Sequence, residues 1–391
     1  MIKIERDVIV VGAGPAGAIC AAYLAKAGVD VLLIDKEHFP RDKACGDLLR
    51  EGIVSHINAL GAIDALDKMS TCIRNLQLVS DKGMAATVPF ECYCTPRYKL
   101  DALLTDAALR WGAEFRQGCR ALDVLEENGA ICGVKIRECG VETELRSKLV
   151  IGADGAYSVI AKKLGLAKEK PQSLLLGQRA YFKGIHLERS LAKEQYDAYG
   201  ILCFDELVKP CCLWVMPTGA AGVSGGYCNV GLMVLDRNAY RGIDLTERFF
   251  RILEHSPKMA AMFEAAEQIT PWKSGQLSDV TQDMQRCVNG AMLIGDAASV
   301  MMPLMNDGLS AAADSARAAA EAALQALEMN CLSGSLLQEI YEDAMPKDRY
   351  GADELKEARL LQQSLYDPAV MDTIVDRLTN DPVFRKRMLE L

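Results

Sequence analysis

Short apolar runs and small flexible residues alternate along the first 35 positions in the order expected of a strand, a turn, a helix and a second strand. Residues 8–11 (Val-Ile-Val-Val) form a β-branched run typical of a strand buried on both faces. The Ala-rich stretch 18–27 predicts a helix that ends at Gly28, and residues 31–34 (Val-Leu-Leu-Ile) predict another buried strand. A complete βαβ unit therefore fits into the first 35 residues, which indicates an α/β protein with a parallel sheet.

The turn of this unit follows the G-x-G-x-x-G pattern, with Gly12, Ala13, Gly14, Pro15, Ala16 and Gly17 in order. In such a turn the first glycine permits the tight bend, the second lets a pyrophosphate approach the backbone, and the third lets the helix pack closely on the strand. Free N–H groups and the positive end of the helix dipole favour phosphate at this helix start. Asp35 follows the second strand, where a carboxylate accepts hydrogen bonds from a ribose. The pattern predicts a dinucleotide site, for either NAD or FAD.

Two later segments repeat the succession of buried strand, small-residue turn and helix. Residues 149–151 lead into the sequence G-A-D-G at 152–155, and residues 291–294 lead into Gly295-Asp296. Asn306, Asp307 and Gly308 then precede a stretch with ten alanines between positions 311 and 326. A carboxylate after a strand is suited to bind a ribityl hydroxyl, and a helix start at Gly308 is suited to direct N–H groups at an anionic flavin edge. The same residues also fit plain connections in which Asn306 or Asp307 caps the helix.

In this order and spacing the three segments resemble the glutathione-reductase-type flavoproteins, in their p-hydroxybenzoate-hydroxylase-like branch. The first turn matches the dinucleotide fingerprint, residues 152–155 the DG motif and Gly295-Asp296 the GD motif of that branch. Arg97, ahead of a predicted helix, resembles its FAD-contacting arginine. The resemblance implies that FAD is the cofactor and is bound in an extended form. With the narrower match described next, it implies these cofactor-binding residues: Gly12, Ala13, Gly14, Pro15, Ala16, Gly17, Asp35, Lys36, Cys45, Gly46, Arg97, Asp154, Gly295, Asp296, Pro303, Gly308 and Leu309.

A narrower match concerns residues 40–49, which resemble the P-x-x-K-x-C-G motif of the geranylgeranyl reductase family. The match implies that Cys45 and Gly46 lie beside the isoalloxazine ring. Residues 213–217 resemble the aromatic-x-W-x-F-P motif of the same family, which implies that Trp214, Met216 and Pro217 line the substrate cavity. This second match departs from the motif, because Cys212 replaces the usual aromatic residue and Met216 the phenylalanine.

The predicted architecture is a Rossmann-type FAD-binding domain with an inserted antiparallel-sheet substrate domain and a helical C-terminal segment. We expect the discontinuous FAD-binding domain at residues 1–74, 97–170 and 281–330, and the substrate domain at 75–96 and 171–280. Residues 331–391 form the C-terminal segment, whose charged and apolar residues follow helical spacing. That segment fits a lid, a partner helix, a membrane-surface helix or a solvated helical cap.

Composition and charge narrow the classes of partner. The net charge of −9 opposes nucleic-acid binding, which is built from lysine and arginine contacts to phosphate. No apolar run approaches the ~20 residues needed to span a bilayer. The first residues lead directly into an apolar strand, so we expect no secretory leader. We therefore expect a cytoplasmic protein, with peripheral membrane contact left open, whose fourteen cysteines are reduced. The spacing of Cys92/Cys94 and Cys211/Cys212 lacks the C-x-x-C pairs of a zinc site, so we expect no metal.

Three functions remain open on these grounds. The first is a reductase of carbon–carbon double bonds in an apolar, isoprenoid-like substrate, which the residues at Cys45-Gly46 favour. The second is an NAD(P)H-dependent aromatic hydroxylase or halogenase, and the third is a non-catalytic flavin-binding redox protein. A second G-x-G-x-x-G is absent, so the electrons come from NAD(P)H bound transiently near the flavin or from a ferredoxin-type protein donor. No residue in the sequence is identified as the catalytic acid or base.

Overall fold

Two β-sheets with attached helices make up the computed structural model, which describes residues 5–166, 174–187, 198–206, 211–218, 226–234, 244–278, 284–303, 306–365 and 367–389. The strands are β1 Glu5–Val11, β2 Val31–Ile34, β3 Leu48–Leu49, β4 Thr71–Val79, β5 Ala85–Cys94, β6 Glu114–Arg116, β7 Cys119–Glu127, β8 Ala130–Glu138, β9 Val141–Gly152, β10 Leu174–Lys183, β11 Ala198–Cys203, β12 Cys211–Thr218, β13 Tyr227–Val234, β14 Glu267–Gln268, β15 Lys273–Ser278, β16 Cys287–Val288 and β17 Ala291–Leu293. The helices are α1 Pro15–Lys26, α2 Glu51–Ala59, α3 Ile63–Met69, α4 Arg97–Trp111, α5 Val159–Lys163, α6 Leu245–His255, α7 Pro257–Phe263, α8 Gly308–Glu328, α9 Gly334–Ala344, α10 Lys347–Tyr350, α11 Ala352–Leu365, α12 Pro368–Asn380 and α13 Pro382–Leu389.

The first sheet has the strand order β16-β17-β9-β1-β2-β6, with β7 and β8 attached beside β9. Strand β1 pairs in parallel with both β2 and β9, and β17 also runs parallel to β9. Parallel strands end at the same edge of a sheet, so the turns that follow β1, β9 and β17 meet there. This arrangement confirms the predicted α/β class and brings the three glycine-containing turns together.

Helices α1, α4 and α8 pack on one face of this sheet and share one apolar core with it. Helix α8 contributes mostly alanines to that core, and α1 is buried along nearly its whole length. Small side chains let these helices approach one another and the sheet closely. The Ala-rich sequences of α1 and α8 therefore fit helices that are buried on most sides. The opposite face of the sheet is covered by β7, β8 and α5 through a separate apolar cluster.

The second sheet has the order β14-β10-β13-β12-β11-β4-β5-β3, with β15 also paired to β10. Its described pairs are antiparallel, as the sequence predicts, with the exception of β4 and β11, which are parallel. The two strands lie more than a hundred residues apart in the chain, so no hairpin turn fixes their relative direction. Residues 71–94 therefore join the sheet formed by the later segment.

Helices α6 and α7 cover the outer face of the second sheet. Phe249 and Phe182 of β10 pack against each other, and each also packs against Phe263 and Trp272, at ring-centroid distances of 5.2–5.9 Å. Burial of such aromatic groups supplies a large share of the stability of a small sheet layer. The inner face of the sheet, which carries Trp214 and Met216, is thereby left to face the first sheet.

The C-terminal helices contact both layers. Met371, Val375 and Leu378 of α12 are buried against the edge of the second sheet near β5. Gln362 of α11 donates from Nε2 to the Pro303 carbonyl and to Asn306 Oδ1, the latter at 2.9 Å, so α11 holds the loop before α8. None of the described helices is both long enough and apolar enough to cross a membrane.

Candidate flavin and substrate site

A cavity of about 830 Å³ lies between the two sheets and is lined by residues of both. One end is formed by the turns at the edge of the first sheet, including Gly12, Gly14, Asp154 and Gly295. The other end is formed by the inner face of the second sheet. The cavity therefore joins the predicted dinucleotide turn to the predicted substrate wall.

The three glycine turns touch one another at the first end. Gly12 has φ +103°, and a Cβ on it would lie 2.4 Å from the carbonyl oxygen of Ala153. A Cβ on Gly17 would lie 1.8 Å from the carbonyl oxygen of Gly12, which is the close helix–strand packing predicted for that position. Gly295, with φ +59°, lies against Ala16 in the same way. Larger residues would push these backbones apart and open the turn.

The start of α1 is open toward the cavity. Of the described residues, only Arg41 would come within 4 Å of a Cβ on Gly14, at 3.5 Å from its Nη2 atom. None of the described side chains caps the helix, and its first turn has no acidic residue. This open backbone, with a positive helix end and a nearby guanidinium, fits the pyrophosphate of a dinucleotide cofactor.

Asp35 is buried at the end of β2 and lines the cavity. Its carboxylate accepts the N–H of Ala13 at 2.7 Å and the N–H of Glu37 at 2.8 Å. These two backbone bonds fix the carboxylate beside the glycine turn, and a carboxylate has further lone pairs for a ribose diol. The position fits the adenosine ribose of FAD.

Two arginines share one buried carboxylate beside the turn. Arg97 donates to Asp101 from Nε at 2.7 Å and from Nη2 at 2.9 Å, and Arg41 Nη1 lies 2.9 Å from the same carboxylate. Arg97 and Arg41 both line the cavity. Bidentate pairing holds a planar guanidinium in one orientation. Farther along, Lys43 Nζ lies 3.3 Å from Asp296 Oδ2 and joins the 40–49 segment to the turn after β17.

Helices α5 and α8 both begin beside a carboxylate that accepts backbone N–H groups. Asp154 accepts the N–H groups of Val159 at 2.7 Å and Ile160 at 3.2 Å, and burial raises the pKa of its carboxyl above the ordinary value. Asp307 caps α8 by accepting the N–H of Ser310 at 2.9 Å. Asp307 therefore provides the cap for which both Asn306 and Asp307 were candidates, while Gly308 and Leu309 line the cavity.

Asn229 fixes the Cys45-Gly46 turn between the sheets. Its Nδ2 group donates to the Cys45 carbonyl at 2.8 Å and to Asp47 Oδ2 at 2.7 Å, and its Oδ1 accepts from Trp214 Nε1 at 2.9 Å. Tyr181 also donates to Asp47 Oδ2 at 2.7 Å. Burial raises the pKa of Asp47 to about 6 and raises the pKa of the Cys45 thiol. One amide thus connects the motif at 40–49 to the tryptophan of the second motif.

Apolar side chains of the second sheet form the other wall of the cavity, together with Leu48 and Phe90. Trp214 and Met216 project into the cavity from alternate positions of β12. Room for them comes from two glycines: a Cβ on Gly231 would lie 2.2 Å from the Trp214 ring, and a Cβ on Gly200 would lie 2.4 Å from the Met216 sulfur. The remaining apolar members of this wall are Leu76, Leu202, Cys212 and Met233.

Most of the predicted site residues line the cavity, and four do not. Ala13 and Gly17 lie behind the glycine turn, where they bond to Asp35 and pack against Gly12. Pro303 is buried in the loop before α8 and is not among the lining residues. Pro217 is also absent from the lining, since successive residues of a strand point to opposite faces and it follows Met216 directly. The assignment of Pro217 to the substrate cavity is therefore corrected.

Several polar residues of the site are missing from the sequence-based prediction. Arg41 and Asp47 belong to the 40–49 segment, and Arg179 and Tyr181 contact that segment through Asp42 and Asp47. A signal was present for Arg179, a charged residue within the apolar run that forms β10. The contacts of Arg179 with Asp42 and of Tyr181 with Asp47 join segments more than a hundred residues apart, and Arg41 contacts Asp101, 60 residues away. In the part of the chain that the structure describes, no group of three histidine, cysteine or acidic residues is arranged to hold a metal ion.

Comparison with known proteins agrees with this geometry. Residues 5–331 match the family model of the FAD binding domain. Digeranylgeranylglycerophospholipid reductase 2 of Methanococcoides burtonii is 31% identical over 356 residues, which cover 88% of this chain and 80% of the relative. A geranylgeranyl bacteriochlorophyll reductase-like protein of Thermoplasma acidophilum has the same fold, with a TM-score of 0.83, 23% identity and coverage of 97% and 92% of the two chains. A flavin-dependent brominase also shares the fold, with a TM-score of 0.79, 22% identity and coverage of 99% and 92%.

A Rossmann-type sheet with three converging turns, beside a second sheet that closes one cavity, defines an FAD-dependent oxidoreductase. Within that class, the chain belongs to the geranylgeranyl reductase family.

Proposed function

We propose that the protein reduces carbon–carbon double bonds of an apolar, isoprenoid-like lipid with electrons from FAD. The observation that carries this proposal is that one continuous cavity joins a dinucleotide turn at one end to an apolar wall at the other. The names of the relatives, which are reductases of lipids with geranylgeranyl chains, support the same substrate class. When bound, FAD supplies the hydride through its reduced ring.

The residues proposed to hold FAD are those that the three turns bring together. The N-terminus of α1 at Gly14, with Arg41 beside it, would hold the pyrophosphate, and Asp35 the adenosine ribose. Asp296, anchored by Lys43, would bind the ribityl chain. The start of α8 at Gly308 would direct its dipole at the flavin ring. The other members of this proposed set are Gly12, Ala13, Pro15, Ala16, Gly17, Lys36, Cys45, Gly46, Arg97, Asp154, Gly295, Pro303 and Leu309.

Trp214 and Met216 would orient the lipid and keep water from the reacting carbon atoms. A wall of methionine, leucine and aromatic side chains adapts to a flexible hydrocarbon chain without offering hydrogen bonds to water. The Cys45 thiol lines the cavity and keeps its proton at neutral pH, because burial raises its pKa. Cys45 therefore presents a protonated thiol, rather than a thiolate, between the glycine turns and the apolar wall of the cavity.

The test is anaerobic reoxidation of the reduced protein. Protein reduced with dithionite is mixed with geranylgeranyl diphosphate in the absence of oxygen, and the flavin spectrum is followed together with the mass of the lipid. We expect the flavin to be reoxidised and the lipid to gain two mass units per double bond. A flavin that stays reduced until oxygen is admitted would exclude this substrate class.

A flavin-dependent halogenase or hydroxylase is the second candidate, because a brominase shares the fold over nearly the whole chain. The W-x-W-x-I-P signature of halogenases is only half present, because Cys212 stands where its first tryptophan belongs, and this weakens the halogenase candidate. Oxygen consumption that rises with an aromatic substrate, with or without bromide, would favour it over the reductase.

The electron donor, the location in the cell and the domain bounds are further parts of the proposal. NAD(P)H and a ferredoxin-type protein are the two candidate donors, which stopped-flow reduction by NADPH, NADH and reduced ferredoxin would separate. We propose that the protein is cytoplasmic and contacts the membrane surface, because a lipid substrate resides there. Co-sedimentation of the protein with lipid vesicles measures this contact. The proposed domains are residues 1–74, 97–170 and 281–330 for FAD, 75–96 and 171–280 for substrate, and 331–391 as a helical segment.

A further inference from the structure

The apolar wall of the cavity ends at Cys212 of β12. Met216, Trp214 and Cys212 alternate with outward-facing residues along this strand, and all three line the cavity. Four residues of a strand span about 13 Å, so the wall extends about that far from Met216 to Cys212. Asn229, the cross-strand partner of Met216, binds the carbonyl of Cys45. Cys212 therefore lies at the far end of this wall from that contact.

Helix α12 lies at this far end of the wall. Cys212 belongs to one apolar cluster with three residues of α12, namely Met371, Val375 and Leu378. Leu202 of the adjacent strand β11 also packs against this cluster. Among the described residues, Cys212 and Leu202 are the members of the cluster that line the cavity. These two residues therefore separate the space of the cavity from the buried side chains of α12.

The far end of the cavity is suited to hydrocarbon. Met233, the cross-strand partner of Cys212, is half-buried and lines the cavity, as does Leu202. Lysine and arginine line the same face of the sheet only on other strands, at Arg179 of β10 and Lys273 of β15. Apolar surface is removed from water at no polar cost where the surrounding side chains are leucine, methionine and cysteine. The end near α12 therefore fits the tail of a lipid rather than its head.

The side chain at position 212 is small for its place in the related motifs. The motifs of geranylgeranyl reductases and of halogenases that residues 213–217 resemble have an aromatic residue at the position of Cys212. A phenylalanine at position 212 would project from the inner face of β12 into the cavity, because packed side chains of α12 occupy the other side. The cysteine therefore leaves room at this end of the cavity.

We propose that residue 212 determines the longest hydrocarbon chain that the cavity admits, and that α12 forms the end wall of the cavity. The cysteine lets a chain pass Trp214 and end against Leu202 and Met233, whereas an aromatic ring in its place would fill that space. This inference rests on the proposed function and deepens it, since it concerns the length of the substrate chain and not its head. It also assigns α12, in the C-terminal segment, to the substrate site.

The test uses geranyl, farnesyl and geranylgeranyl diphosphates, which share a head and differ only in chain length. Binding to the oxidised, FAD-loaded protein is measured by calorimetry, before any turnover. Cys212→Phe should weaken binding of the geranylgeranyl chain by about tenfold or more, because the end of that chain loses its buried contacts. Binding of the geranyl chain should change by less than about twofold. Leu213→Phe is the matched control, since it adds a ring at the next residue of β12, which is buried on the outer face of the sheet. That control should leave the ratio of the affinities for the three chains unchanged.

Met371→Ala tests the end wall from the side of α12. Removal of this side chain creates space beside Cys212, so geranylfarnesyl diphosphate, one isoprene unit longer, should gain about threefold or more in affinity relative to geranylgeranyl diphosphate. The ratio of the two affinities is the informative quantity, because a general loss of stability affects both lipids alike. An unchanged ratio would mean that α12 is not the end wall.

Equal losses for all three chain lengths in Cys212→Phe, no loss for any of them, or the same selective loss in Leu213→Phe would overturn the role of residue 212. If Cys212→Phe does not retain FAD, Cys212→Leu takes its place, with an expected loss of about threefold for the geranylgeranyl chain alone.

Anaerobic reoxidation measured afterwards on the same samples separates the two proposals. Binding that depends on chain length and on residue 212, without reoxidation by any of the lipids, would support the role of residue 212 and overturn the reductase function. Reoxidation that is indifferent to chain length in both the wild type and Cys212→Phe would support the reductase and overturn the role of residue 212.

Discussion

Asp35 and Asp47 are both buried carboxylates, and their partners give them different roles. Asp35 accepts two backbone N–H groups beside the glycine turn and faces the cavity. Asp47 accepts from the side chains of Tyr181 and Asn229 behind the Cys45-Gly46 turn. The first is therefore placed to bind the cofactor, and the second to hold a loop in position.

Replacement of Asp35 by alanine should weaken FAD binding by about tenfold or more, because hydrogen bonds to charged groups contribute about 1.5–3 kcal/mol each. Titration of the apoprotein with FAD, followed by flavin fluorescence, measures the loss. Asp64→Ala, at an exposed position in the first turn of α3, is the matched control and should bind FAD normally. Unchanged affinity in Asp35→Ala would contradict the proposed ribose contact.

Asp47→Asn should change how stability depends on pH. The folded pKa of Asp47, about 6, lies above the ordinary 3.8, so folding favours the protonated form. That contribution is complete below pH 3.8 and is lost as the pH rises through 6. Asparagine resembles the protonated form and does not titrate. The melting temperature of the variant relative to the wild type should therefore increase between pH 4 and pH 7.

A pH-independent difference is expected in addition, because residue 47 has φ +63° and asparagine tolerates that conformation well. The change with pH is the informative quantity, since the other titrating groups cancel between the two proteins. A difference in melting temperature that stays constant over this range would disprove the raised pKa.

At the scale of elements, the C-terminal helices differ from a fully solvated cap. Helix α12 buries Met371, Val375 and Leu378 against the second sheet, next to Cys212 of the cavity wall. Helix α11 contacts the loop before α8 through Gln362. The amphipathic pattern of this segment therefore serves packing along part of its length, rather than solvent exposure alone.

Met371→Ala should destabilise the protein by about 2–5 kcal/mol, because it leaves a cavity between α12 and the second sheet. Thermal unfolding of the FAD-loaded protein should show a decrease of several degrees. Thr373→Ala, on the exposed face of the same helix, should lie within about 0.5 kcal/mol of the wild type. Equal effects of the two substitutions would mean that α12 does not pack as described.

At the scale of the whole molecule, the cavity is lined by residues of both sheets, so FAD bound there would contact both layers and should stabilise the complete fold. A ligand present at about a hundredfold excess over its dissociation constant stabilises the native state by about 2.7 kcal/mol. The FAD-loaded protein should therefore melt above the apoprotein by an amount that grows with FAD concentration. Riboflavin, which lacks the adenosine diphosphate part, should give a much smaller increase. Equal increases would contradict the role proposed for the glycine turn.

The local pattern of the chain was sufficient for the first βαβ unit. Residues 31–34 form β2 as predicted, the predicted strand at residues 8–11 lies within β1, and α8 begins at Gly308. These features depend on interactions between residues near one another in sequence: the period of apolar residues, the conformational freedom of glycine, and helix capping. The family resemblance extended this information to FAD and to the cavity.

Only the tertiary structure determines which distant segments of the chain come into contact. Asn229 and Cys45 are 184 residues apart, and Arg179 and Asp42 are 137 apart, yet each pair is in contact. The parallel pairing of β4 with β11 is likewise independent of any turn between them. A sequence pattern specifies the period and the burial of each segment, but not its neighbour across a cavity. That choice follows from the packing of whole sheets, and it is the reason that the buried charge of Arg179 became visible only in the folded chain.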